Sequence, residues 1–145
     1  LYLRYKKALP DIEFKYYGAL CPDGSLGTLE EVYKSILGSS FVWHVKPFGD
    51  GFGWTWHNAF MLGRPVITNF SDYEGKLGGQ LFEDGVTGID LERRSLDENV
   101  ALIKRILSDK EKHMKMCKSA YDRFREVVDY DRELIDIKAF LERLI

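Results

Sequence analysis

PFGDGFGWTWHNAFMLGRPVI, residues 47–67, is the stretch on which the fold is decided. It reads as the end of a buried strand, a glycine-rich turn, a short apolar helix, a glycine stop and a second buried strand. Gly49, Gly51 and Gly53 alternate through the turn, so the backbone there approaches another molecule with no Cβ in the way. A helix beginning near Trp54 directs its free N–H groups and the positive end of its dipole at that turn, an arrangement that suits an anion such as phosphate. Gly63 ends the helix, and Arg64-Pro65 forces extended chain.

Working outward, residues 41–45 form the strand that feeds the turn, and residues 65–68 the strand that leaves it. Upstream, Thr28 and Glu31 make a capping box for a helix whose apolar face is Leu29, Val32, Tyr33, Ile36 and Leu37, ending at Gly38. Before it, residues 1–9 have helical spacing up to Pro10, and Ile12, Phe14 and Tyr16 alternate as in a strand that ends at Gly18. This β-α-β-α-β rhythm predicts a Rossmann-like parallel sheet with helices on its faces.

Downstream, Gly75, Gly78 and Gly79 each cost a helix about 1 kcal/mol relative to alanine, so residues 69–82 read as a mobile loop or a short broken helix. Residues 83–85 are a turn and residues 86–91 a short strand. Three helices follow. Ser95 with Glu98 caps the first, with face Leu96, Val100, Ile103 and Leu107; Ser108 with Glu111 caps the second, with face Met114, Cys117, Tyr121, Phe124 and Val128. Asp131 caps the last, which carries Leu134, Ile137, Leu141 and Ile145 on one side as a face for a part that this chain lacks.

Composition bounds the function. At 145 residues the chain is a single domain with room for a real core. A net charge of −2, with no cluster of basic residues, argues against a nucleic-acid partner. Cys21 and Cys117 are far apart and form no CxxC pair, which argues against a disulfide scaffold and a zinc site and favours a reducing, cytoplasmic setting. Three histidines with no shared spacing predict no metal site, and no apolar run is long enough to span a membrane. The chain begins at Leu1 inside a helical pattern and is read as a fragment of a longer protein. Its oligomeric state is not legible.

Local chemistry alone supports an anion site or, equally, tight strand-helix packing. The turn is neither a P-loop, since no Gly-Lys-Ser/Thr follows, nor the dinucleotide GxGxxG in its usual first position. Two polar residues in an otherwise apolar stretch, Asp50 and Asn58, add a second constraint, and a buried Asn58 needs a hydrogen-bond partner. His44 and Lys46 lie where ligands bind at strand ends, with Lys46 the better charge partner for a phosphate or else a solvated lysine. His57 reads as a packed or surface histidine, Trp54 and Trp56 as bulk, and Tyr73, Glu74 and Lys76 as an exposed loop or a cover over a ligand.

Residues 50–67 resemble, without a gap, the signature of the GT-B fold retaining glycosyltransferases that use nucleotide sugars, roughly E-P-F-G-x-x-x-x-E-A-x-x-x-G-x-P-V-I. Glu83-Asp84-Gly85-Val86-Thr87-Gly88 is similar to the same group's D-G-x-T-G turn. The resemblance implies part of the C-terminal, nucleotide-sugar-binding domain of a two-domain enzyme, the N-terminal acceptor-binding domain being absent. It implies a nucleotide-diphosphate sugar as donor, transfer with retention and no dependence on a metal or other cofactor. By position, Asp50 is the catalytic candidate that holds hydroxyls of the donor sugar, and Asn58 meets the ribose. Gly51, Phe52, Gly53, Trp54 and Thr55 line the sugar and the diphosphate, and Gly18 ends the strand near the base.

Both signature acids are altered, the first shortened to aspartate and the second an amide, which accepts without the strength of a charged group. The group's phosphate-binding Arg and Lys come from a segment outside this chain, so the chain alone is not expected to turn over. Two alternatives stand beside this one: a non-catalytic nucleotide-binding or protein-interaction domain of the same fold, and a sugar-nucleotide epimerase, whose members lack this signature.

Overall fold

The computed structural model describes residues 1–46 and 53–144. In chain order the elements are α1 (Tyr2–Ala8), α2 (Leu29–Gly38), β1 (Val42–Trp43), α3 (Trp54–Met61), β2 (Val66–Thr68), two 3₁₀ turns (Phe70–Asp72 and Leu77–Leu81), β3 (Gly88–Asp90), α4 (Leu96–Ser108), α5 (Lys110–Val127) and α6 (Tyr130–Glu142). The strands form a parallel sheet in the order β1-β2-β3. Val42 pairs with Val66 and Ile67 with Ile89. The architecture is therefore α/β, a small parallel sheet with flanking helices.

Neighbouring strand residues point to opposite faces, and the core divides accordingly. Val66 belongs to a cluster with Trp56, Ala59, Phe60, Tyr73 and Phe82, while Ile67 belongs to one with Tyr5, Leu9, Ile89, Ile103 and Ile106. Helix α5 serves both, Met116 in the second cluster and Ala120 and Phe124 in the first. Burying each such side chain contributes about 1.5–3 kcal/mol, so the sheet is held chiefly by its helices rather than by its short ladder.

Gly63 adopts φ +64° beyond α3, and a Cβ there would meet the Cys117 carbonyl at 3.2 Å and Tyr121 Cβ at 3.3 Å. Glycine at this position both ends the helix and lets α5 approach. The capping boxes at Thr28/Glu31 and Ser95/Glu98 are both formed.

Several expectations are corrected. Residues 12–20 form no strand: Tyr16 N–H donates to Asp23 Oδ2 at 2.5 Å and Gly18 N–H to Gly24 O at 2.8 Å, closing the segment on itself. Its alternation reflects aromatic packing instead, with Phe14 set edge-on to Tyr2 and Trp43. Residues 69–82 follow the broken-helix alternative, as the two 3₁₀ turns Phe70–Asp72 and Leu77–Leu81, and not the loop, since Tyr73 and Leu81 are fully buried. Asp109, not Ser108, caps α5, and Asp129, not Asp131, caps α6, each accepting from the N–H three residues on. The buried stripe of α5 is Met116, Ala120 and Phe124, whereas Met114 and Tyr121 are exposed. On α4, Asn99 and Ile106 are buried along with Ile103, and Leu107 is only partly covered. Helix α6 buries no residue among those described.

Candidate functional site

Strand β1 lies before, and α3 after, the glycine-rich residues 47–52, which are outside the described residues. Past β1 the ladder runs on for one bond, His44 N–H to Ile67 O at 2.9 Å, which places Lys46 exposed beyond the sheet. Gly53, extended at φ −62° and ψ 143°, is the N-cap of α3, and no side-chain hydrogen bond caps that end among the described residues. Its carbonyl accepts from His57 N–H at 3.0 Å. The first-turn N–H groups that follow are those a helix leaves without intrahelical partners. Asp50, Gly51 and Phe52 lie outside the described residues.

The 3.6-residue period divides α3 into two faces. Trp56, Ala59 and Phe60 are fully buried against the core, with Trp56 Nε1 donating to Gly78 O at 2.8 Å. Trp54, His57, Asn58 and Met61, spaced i, i+3, i+4 and i+7, form the other stripe. With Tyr33 of α2 and Tyr130 of α6 they line an open crevice of about 370 Å³.

Asn58 is the informative residue of this crevice. It is only 3% exposed and lines the crevice, and its carboxamide is not among the buried side-chain polar atoms that lack a partner, which among the described residues are Arg64 Nε and Asn99 Oδ1. Trp54, one turn earlier, is 71% exposed at the mouth. Across the crevice the Tyr130 hydroxyl pairs with His57 Nε2 at 2.8 Å, tying α6 to α3. Burial, then the nearby Glu133 and Tyr33, raises the Tyr130 phenol, so it stays a neutral hydroxyl. His57 also sets its ring edge-on to Phe124 at 4.8 Å.

Of the residues expected at a site, Trp54 and Asn58 come together in this crevice, with Gly53 at the end of the same helix. Thr55 is exposed on the first turn, its neighbour Trp56 turning inward. Lys46 and Gly18 are not among the described lining residues; Gly18 lies in the 16–24 loop, φ +153°, against Cys21. His44 is buried, and its Nδ1 pairs with the Tyr73 hydroxyl at 2.7 Å, which makes that pair part of the packing rather than an exposed phosphate contact. Tyr73 is likewise removed from any role as a flexible cover. Tyr33 was read only as part of the apolar face of α2 and Tyr130 not at all, because nothing short of the helix packing brings α2 and α6 to α3.

The D-G-x-T-G turn has a structural account of its own. Thr87 Oγ1 accepts from Glu83 N–H at 2.7 Å and donates to Leu81 O at 3.1 Å, closing the turn from inside. Gly85 has φ +79°, and a Cβ on Gly88 would lie 2.3 Å from Val66 O, so both glycines are required by backbone geometry. Asp84 accepts from Asp90 N–H at 2.9 Å and from both Arg94 amino groups. The motif therefore locks β3 beside β2 and α4.

No group of three or more His, Cys, Asp or Glu that suits a metal ion occurs among the described residues. No described helix is long and apolar enough to cross a membrane. Comparison with protein families, with curated proteins and with solved structures finds no match for this chain.

Proposed function

We propose that the chain is the nucleotide-sugar-binding part of a glycosyltransferase of the GT-B, Rossmann-like type, acting with retention on a nucleotide-diphosphate sugar in the full-length protein. The observation that carries the reading is Asn58: a buried polar side chain, on the helix that follows the glycine-rich segment, and lining a crevice. In this reading Asp50 holds the donor sugar. Gly51, Phe52 and the Gly53-to-Thr55 corner receive the diphosphate with N–H dipoles, and Lys46 adds positive charge. Gly18 stays a contact by resemblance only. As the bond from the anomeric carbon to the diphosphate breaks, charge grows on the leaving oxygen, and fixed dipoles there stabilise it. The acceptor enters from the absent N-terminal domain, in a cytoplasmic setting.

Calorimetric titration of the full-length protein with UDP, GDP and ADP sugars, followed by assay of donor hydrolysis and transfer, tests this. Binding with turnover, lost on Asp50→Ala with the fold intact, is the expected result; no binding of any donor overturns it. Binding without turnover favours the second reading, a non-catalytic nucleotide-binding or protein-interaction domain. The bare apolar side of α6 supports that alternative, with Leu134, Ile137, Phe140 and Leu141 each more than half exposed.

A further inference from the structure

We propose that the apolar stripe of α6 pairs with the same stripe on a second copy of this chain, the two helices running antiparallel. This association is independent of donor binding in the crevice.

Helix α6 buries none of its described residues, although it is only 13 residues long. An isolated helix of that length is marginal in water, because helices in proteins are held mostly by the packing of an apolar face. Such a face is present and uncovered. Tyr130, Leu134, Ile137 and Leu141 recur at the spacing of a coiled-coil seam with Phe140 beside them, and each of the five is more than half exposed. At the root of the helix the Tyr130 hydroxyl pairs with His57, which fixes where α6 leaves the body of the protein.

Charge decides what covers the stripe. Residues 129–136 hold four acids, Asp129, Asp131, Glu133 and Asp136, against Arg132 alone, whereas residues 137–144 hold Lys138 and Arg143 against Glu142. The first half is therefore acidic and the second weakly basic. A complementary surface must be basic beside the first half and acidic beside the second, and α6 itself, reversed, is such a surface. Parallel copies would set the two acidic halves side by side.

The seam and the charges agree on one register. Antiparallel seams stack Leu134 on Ile137 of the other copy and Tyr130 on Leu141 of the other copy, each layer occurring twice by symmetry. That register brings Asp131 beside Lys138 of the other copy, also twice. Within the protomer Arg132 Nε is taken up by Asp136 at 3.2 Å, while Asp131 and Lys138 form no ion pair with a described residue. Sliding one copy by a heptad would set Lys138 against Lys138 instead.

Sedimentation equilibrium of the purified full-length protein tests this, for the wild type, Ile137→Lys, Lys138→Asp, and Lys138→Asp combined with either Asp131→Lys or Glu133→Lys. All four side chains are exposed, and circular dichroism checks that the fold is kept. The expected result is a dimer that Ile137→Lys dissociates, that Lys138→Asp weakens about tenfold, and that added Asp131→Lys restores. A wild type that stays monomeric at every concentration overturns the pairing and leaves the stripe to another segment of the full-length protein or to a different partner. A dimer that Ile137→Lys leaves unchanged overturns it too, the contact then lying elsewhere. In a parallel pair Lys138 would meet Glu133, so rescue by Glu133→Lys in place of Asp131→Lys overturns the antiparallel arrangement.

Discussion

Tyr73 lies flat on Trp56, with ring centroids 4.1 Å apart and planes 16° apart, while its hydroxyl reaches His44 at 2.7 Å. Three segments meet in that stack: the strand end at His44, the buried face of α3 and the 3₁₀ connection after β2. Tyr73→Phe keeps the stack and removes the buried hydroxyl contact, and should cost about 1–3 kcal/mol. Trp56→Ala empties the centre of the cluster and should cost about 3–5 kcal/mol. Urea denaturation measures both, and a Tyr73→Phe protein as stable as wild type would remove the hydrogen bond from the account.

The Asp84–Arg94 pair predicts the acid limb of stability. Burial acts to raise the Asp84 carboxyl, but the Arg94 hydrogen bond, the Asp90 N–H and the Arg94 and Arg93 charges outweigh it and hold the group below its ordinary 3.8. Its folded value being the lower one, its contribution is fully present above the unfolded carboxyl value. It is lost as pH falls through the folded value. Asp84→Asn should therefore cost about 1–3 kcal/mol at neutral pH, a partly exposed Arg94 limiting the loss, and should flatten the decline on acidification. Urea midpoints at neutral pH and near pH 3 decide it; equal acid losses in variant and wild type would count against Asp84.

Two glycines separate steric need from conformational need. A Cβ on Gly88 would sit 2.3 Å from Val66 O and 2.5 Å from the Phe82 ring, whereas one on Gly75 meets nothing within 4 Å but has φ +73°. Gly88→Ala should push β3 off β2 at a cost of about 3 kcal/mol or more. Gly75→Ala should cost only the left-handed penalty of about 1–2 kcal/mol. Chemical denaturation ranks the two, and the reverse order would contradict the close approach at Gly88.

Asn99 fastens α1 to the rest of the fold. Fully buried, its amide nitrogen faces the Tyr5 hydroxyl and Leu91 O at 3.0 Å each and Arg94 O at 3.2 Å. Asn99→Asp replaces that donor with an acceptor opposite two carbonyls and should cost more than about 3 kcal/mol. Tyr5→Phe removes one acceptor and should lower the melting temperature by only about 2–4 °C. Thermal melts followed by circular dichroism compare them, and similar losses for both would mean that the amide's other contacts do not matter.

How much was legible follows from where each signal resides. Helix α3 was readable because its signals are local: glycines up to Gly53 before it, Gly63 after it, and an apolar run between. The capping boxes at Thr28 and Ser95 were readable for the same reason, since both partners lie within one turn. Caps next to competing hydroxyl or carboxyl residues were not, because Ser108 and Asp131 have the right side chains and only backbone conformation selects Asp109 and Asp129. The strand expected at residues 12–20 failed on a non-local condition, since alternation does not supply a neighbour to pair with.

For this protein the sequence by itself determined the elements on either side of the glycine-rich segment, the glycines such as Gly63 that end or permit them, and the α/β character of the chain. These depend on contacts a few residues long. Only the tertiary structure decided that α5 buries Met116 rather than Met114, that Tyr73 is core, and that Tyr33, Asn58 and Tyr130 share one crevice. Each of these turns on which helix face meets which neighbour. A helix with apolar residues on two adjacent stripes leaves that choice to the shape of the surface it packs against.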